Sequence, residues 1–144
     1  MRIWRISNFA DLSGAGGNFG PGRWHHKGLP IVYCADHPST SLLEILVHSN
    51  RATVPAVYQL LEIELPDDVS IAQSDPPNGW ESATEVTRAI GTAFLQSGHA
   101  AVLRVPSVIM PKANNLLINP EHAHARRISI IAAWHYPFDS RLFA

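Results

Sequence analysis

At 144 residues, with 46% hydrophobic and 16% charged residues, the chain has the makings of one compact domain over residues 1–144, not of a disordered or fibrous protein. A formal net charge of −1, with no basic run longer than Arg126-Arg127, leaves no electrostatic footprint for direct nucleic-acid binding. The lone cysteine, Cys34, excludes an intramolecular disulfide; no apolar run is long enough for a membrane span, and Met1 to Ser7 lacks a signal peptide's apolar core, so a cytoplasmic protein is expected.

Alternation over Arg2 to Ser7 predicts a short opening strand. Asp11 to Gly22, rich in Gly, Ser and Asn, reads as a loop. Ile31 to Ala35 is a short apolar strand, and Pro38 precedes a helix predicted from about Thr40 to Ser49, for which Ser41-x-x-Glu44 fits a capping box. On that helix Leu42, Leu43, Ile45, Leu46 and Val47 form a broad apolar arc, with Glu44 opposite its middle beside Ser41, His48 and Arg51. Val57 to Leu65 is a strand with Val57, Leu61, Ile63 and Leu65 on one face, interrupted by Gln59, and Glu62 and Glu64 on the other. Gln73 to Gly79 is a second loop. A helix is predicted from Trp80 through Ser82-x-x-Glu85 to about Ser97, stopped by Gly98. Strands at Ala101 to Val105, Asn115 to Ile118 and Ile128 to Trp134 complete the set. They outnumber the helices without alternating regularly with them, which predicts a single mixed α+β domain with a strand-rich core.

Four residues stand out chemically. Arg23 follows Gly20-Pro21-Gly22; glycine lets backbone approach a ligand, and a guanidinium can grip a diphosphate with paired hydrogen bonds. A solvated arginine stacked on Trp24 is the competing reading. Tyr33 offers a face for a flat ring, although a core tyrosine with a satisfied hydroxyl is the default in so apolar a strand. Glu44 suits a developing positive charge, whereas its place on the helix favours a solvated face or a capping partner. Ser107 follows Val105-Pro106 at a strand end, and no Gly-x-Ser-x-Gly elbow makes it a nucleophile. The histidines at 25, 26, 122, 124 and 135 lack metal-ligand spacing, so no metal is expected. A nicotinamide dinucleotide is one ligand with an anionic linker, a flat ring and a positive charge.

The motifs in order resemble the RES domain family, named for Arg, Glu and Ser. The series runs from Trp4-Arg5-Ile6 through Gly22-Arg23-Trp24 and Val32-Tyr33 to Leu42-Leu43-Glu44-Ile45-Leu46-Val47-His48. It continues with Ile90-Gly91-Thr92, Val105-Pro106-Ser107, Asn115 to His122 and Phe138-Asp139-Ser140-Arg141-Leu142. Many relatives read Gly-Gly-Arg-Trp-Asn, whereas here Pro21 precedes Gly22 and His25 follows Trp24.

The resemblance implies a fold related to ADP-ribosyltransferases. It also implies the toxin of a toxin–antitoxin pair that destroys NAD+ by hydrolysis or phosphorolysis, with NAD+ as substrate and no separate cofactor. The implied partner is a helix-turn-helix antitoxin of the Xre type, in a higher-order complex. Carried over, Arg23 would anchor the diphosphate, Tyr33 would stack on the nicotinamide, and Glu44 would stabilise the oxocarbenium-like transition state. Ser107 would bind the nicotinamide amide or ribose, with Arg5 and Asn119 as supports. The alternatives are an ADP-ribosyltransferase acting on a cellular protein and a non-catalytic nucleotide- or peptide-binding module.

Overall fold

The structure, a computed structural model, describes residues 1–50, 52–54 and 56–143. Among these described residues seven strands form one sheet: β1 (Arg2–Ile6), β2 (Val32–Ala35), β3 (Val57–Glu64), β4 (Ile71–Gln73), β5 (Val102–Pro106), β6 (Asn114–Ile118) and β7 (Ser129–Pro137). Their order is β4-β5-β6-β2-β1-β3-β7. Only β4 and β5 are parallel, and the chain between them contains the longer helix, α2 (Thr84–Ser97), as a parallel pair requires. The shorter helix, α1 (Pro38–Val47), packs on β1 and β2. This is a mixed α+β domain. Among the described residues no helix is long and apolar enough to cross a membrane.

Strand alternation divides the buried side chains into two clusters. Val32 and Cys34 of β2 and Leu116 and Ile118 of β6 join Ile3, Leu61 and Ile63 in one. Leu117 of β6 joins Trp24, Phe94, Leu103 and Val105 in the other, with Tyr33 packed against it. The sheet is weakest where β1 meets β2. There the register is a single pair, Trp4 with Ala35, against five pairs between β1 and β3 and four between β2 and β6. The two strands part company beyond that pair, and Arg5 Nη1 donates to the Tyr33 carbonyl oxygen across the gap at 2.8 Å.

Several local expectations change. Helix α1 begins at Pro38, in the first turn where its missing N–H costs nothing, and His37 caps it by accepting from Ser39 N through Nδ1 at 3.1 Å. The Ser41–Glu44 capping box therefore does not form. Ser41 Oγ instead donates to the Trp4 carbonyl at 3.0 Å, tying the helix to β1. Helix α2 likewise begins later than predicted, at Thr84 after a 3₁₀ turn over Trp80–Ser82, and Ser82 Oγ donates back to Gly79 O. Gly98 ends it in the left-handed region at φ 64°, as expected of a C-terminal glycine. Strand β4 was not predicted: three residues on an edge are too few for an alternation to register. A 3₁₀ turn over Ala15–Asn18 interrupts the first predicted loop, β7 runs on to Pro137, and Val57 is exposed on β3. Arg51 lies outside the described residues.

Candidate active site

The segment 20–26 is built against α2 by two threonines, an arginine and a glycine. Thr87 Oγ1 donates to Arg23 O at 2.6 Å, and Arg88 Nε donates to Gly22 O at 2.8 Å. His26 N donates to Thr92 Oγ1 at 3.1 Å. Trp24 is buried beside Trp80, with ring centroids 5.6 Å apart. A Cβ on Gly91 would lie 1.6 Å from Trp24 O, so only glycine at this point of α2 admits the segment so closely. Arg23 is thereby held half-buried, with Nη1 donating to Glu81 O at 3.1 Å.

Facing this segment, in the gap between β1 and β2, is a cavity of about 740 Å3, within the roughly 300–1,000 Å3 common for small-molecule sites. Its wall includes Arg5, Arg23, Tyr33 and Glu44, four of the six residues proposed from the sequence. Glu44 is half-buried there, and its polar side of α1 faces the cavity rather than open water. Its Oε1 accepts from Ser107 Oγ at 3.3 Å. Ser107 is 7% exposed and lies behind Glu44, with Oγ also accepting from Ile109 N and Met110 N at 3.2 Å each. The geometry thus makes Ser107 a prop for the carboxylate.

Tyr33 lines the cavity and also has a satisfied hydroxyl, which combines the two readings the sequence left open. Its Oη accepts from Trp24 N at 3.2 Å and lies 2.7 Å from His25 Nδ1. Burial pushes the phenol up to about 12, so it stays protonated throughout the physiological range. The neighbouring Cys34 thiol, fully buried, is likewise pushed up to about 12 and is inert.

Asn119 is the exception among the proposed residues. It is 4% exposed and lies away from the cavity, donating through Nδ2 to Leu95 O at 3.2 Å and accepting from Glu121 N at 3.1 Å. Its amide organises the turn after β6 and carries no cavity contact.

Arg88, Asn115 and His48 line the cavity but were not singled out from the sequence. Among the described residues the cavity wall therefore carries guanidiniums from Arg5, Arg23 and Arg88 and one carboxylate, Glu44. Such a wall suits an anion of more than one charge that also carries a positive group for Glu44 to face. Among the described residues no three His, Cys, Asp or Glu side chains converge as a metal site would require.

Fold and site together define a small mixed-sheet domain with an arginine-walled cleft opened by the splaying of two strands. The chain belongs to the RES domain family, whose profile matches residues 2–139. It is 47% identical to a protein named Toxin Res from Pseudomonas putida, over 99% of this chain and 100% of that one. It is 40% identical to a Prs ADP-ribosylating toxin from a Sphingobium species, over 97% and 95% of the two chains. Among solved structures it is similar to a chain of the M. tuberculosis MbcT–MbcA toxin–antitoxin complex, with a TM-score of 0.74 at 18% identity, covering 94% of this chain and 84% of that chain. At that identity the likeness is one of fold.

Proposed function

We propose that the chain is the toxin of a toxin–antitoxin pair and that it depletes cytoplasmic NAD+ by cleaving the bond between nicotinamide and ribose. The toxin assignment is supported by the names of the relatives, and an antitoxin partner by the complex in which the structural neighbour was solved. The cleavage reading is carried by one observation: among the described residues Glu44 is the single carboxylate on a cavity wall otherwise charged by guanidiniums, and Tyr33 lines the same cavity.

The chemistry needs no more than this. When the ribose–nitrogen bond breaks, its electron pair neutralises the pyridinium, and the nicotinamide leaves uncharged. No general acid is required, unlike an ordinary glycosidase with its two carboxylates. Positive charge moves instead onto the sugar, where Glu44, held by Ser107, stabilises it. Water or phosphate then forms the new bond to the sugar carbon, and water gives up its proton to the Glu44 carboxylate. Arg23 and Arg88 neutralise the diphosphate, and Tyr33 covers the nicotinamide ring.

Purified protein incubated with NAD+, with and without phosphate, should release nicotinamide. Glu44→Gln should keep NAD+ binding while turnover falls by about 10²-fold or more, the loss expected when a group acting mainly in the transition state is removed. Undiminished release by a folded Glu44→Gln protein would overturn this role. The second reading, transfer of ADP-ribose to a protein, is favoured by the name of the Sphingobium relative. Labelled NAD+ separates the two: free ADP-ribose or its phosphate marks cleavage, and label on a macromolecule marks transfer.

A further inference from the structure

His25 is a buried polar residue to which the cleavage mechanism gives no task. It is 3% exposed, and both ring nitrogens are engaged. Nε2 lies 3.0 Å from Gly20 O, and Nδ1 lies 2.7 Å from Tyr33 Oη and 3.2 Å from Gly22 N. A carbonyl oxygen only accepts, so the ring proton must sit on Nε2. Nδ1 then carries a lone pair, to which the Tyr33 hydroxyl donates and the Gly22 N–H points. The phenol oxygen meanwhile accepts from Trp24 N. Each bond in this circuit fixes the direction of the next.

The circuit joins the two parts of the site that bind different portions of a ligand. His25 and Gly22 flank Arg23 and form an antiparallel bridge around it. Tyr33 stands on a different element, β2. Gly22 is required by the same contact, since a Cβ there would lie 2.5 Å from Tyr33 Oη and 3.0 Å from His25 Nδ1.

We propose that His25, as the neutral Nε2–H tautomer, is a positioning residue that locks the Tyr33 ring to the Arg23 segment and thereby sets the place of the nicotinamide ring relative to Glu44. The inference rests on the NAD+-cleavage reading for its catalytic consequence, but its structural content stands apart from that reading.

Protonation would break the circuit. A proton on Nδ1 would face the Gly22 N–H and force the Tyr33 hydroxyl to turn its own hydrogen away from the imidazole. The surroundings resist this charge. Burial is the largest influence holding the imidazole below its usual range, opposed by the carbonyls of Gly20 and Gly17 and reinforced by Arg88 of α2 and the adjacent His26. Tyr33, which faces it from β2, stays neutral. Because the folded state binds this proton less readily than the unfolded chain, the stabilisation is complete above about pH 6.5 and is lost as pH falls through the folded value. The locked arrangement itself is lost only as pH falls through the lowered folded value.

The test compares the full chain with His25→Asn and His25→Ala. An asparagine oxygen can accept from the Tyr33 hydroxyl in place of Nδ1 and does not titrate. For the native protein, nicotinamide release should fall on an acid limb below pH 6.5. At pH 7.5 His25→Ala should lose about tenfold in kcat, the worth of one net hydrogen bond, with KM changed less. His25→Asn should regain most of that loss and keep its activity to lower pH than the native protein, down to where the Glu44 carboxylate itself is protonated. Equal loss in both variants, or an acid limb in His25→Asn at the same pH as in the native protein, would overturn the proposal. Imidazole 15N spectra of the native protein and of Tyr33→Phe give a readout independent of turnover. A neutral Nε2–H tautomer that resists protonation below pH 6.5, with an Nδ1 resonance that moves in Tyr33→Phe, supports the lock even if no nicotinamide is released. An ordinary titration or an Nδ1–H tautomer sinks it.

Discussion

Glu44 shows how one side chain's meaning depends on what stands behind it. A carboxylate on the polar side of a short helix is normally solvated and free to rotate, and in that state it stabilises little. Here the hydroxyl of Ser107, itself buried and fixed by two backbone N–H groups, restrains one of its oxygens. The serine's value to catalysis is then orientation rather than contact with the reacting atoms. Ser107→Ala should lower turnover by roughly tenfold to a hundredfold through misplacement of Glu44, with NAD+ affinity much less changed. It should also lower stability by about 1–3 kcal/mol, because two N–H groups in a tight turn lose their acceptor. Steady-state kinetics beside urea unfolding would check both. A rise in KM with unchanged kcat would place Ser107 against the substrate instead.

Among the elements, α2 does more than cross over between β4 and β5: one side of it is the mould for the Arg23 segment. Thr87, Arg88, Gly91 and Thr92 share that task. Gly91→Ala pits two effects against each other. Alanine's better helix propensity favours folding by about 1 kcal/mol. A methyl group 1.6 Å from Trp24 O cannot be accommodated unless the backbone of the segment moves, and overpacking of this kind typically costs about 1–3 kcal/mol. The clash should win, so Gly91→Ala should be less stable than the native protein and should lose activity as Arg23 shifts. Gly16→Ala, where an added Cβ meets nothing within 4 Å, serves as the control. Equal stability of the two variants by thermal unfolding would show that the segment is not moulded by the helix.

The strands were more legible in the sequence than the helix starts or the site. Alternation and turn residues placed β1, β2, β3, β5 and β6 within a residue or two, because each carries inward-facing apolar residues between clear boundaries. The two helix starts were misplaced because His37 and a 3₁₀ turn, not the Ser-x-x-Glu patterns, begin them. Glu44 could not be assigned to a cavity from its helical position alone, since the wheel says which side is polar and not what that side faces. Arg23, Tyr33 and Glu44 stood out by their chemistry, with competing readings left open, and the family resemblance gave each a role at one site. Arg88 was invisible for the same reason that Glu44 was ambiguous: its role depends on a segment 66 residues earlier folding against it. Asn119 was placed by resemblance and is occupied in the turn after β6.

For the whole molecule, the consequential feature is that the cavity occupies the least hydrogen-bonded seam of the sheet. The β1–β2 register holds a single pair, and Arg5 bridges the remainder. The wall beside it draws on β1, the Arg23 segment, β2, α1, α2 and the β5–β6 end. A ligand seated there joins elements that otherwise touch lightly, so binding should appear as global stabilisation. Glu44→Gln is the suitable protein, because it should bind NAD+ without consuming it. At a hundredfold excess of NAD+ over its dissociation constant, linkage gives about 2.7 kcal/mol. For a chain of this size that corresponds to a rise in Tm of roughly 5–10 °C. Adding Arg88→Gln or Arg23→Ala should shrink the rise at the same NAD+ concentration, because each removes a positive charge that the diphosphate would meet. A Tm that does not move with NAD+ in Glu44→Gln would mean that the dinucleotide does not occupy this seam, whatever becomes of it in solution.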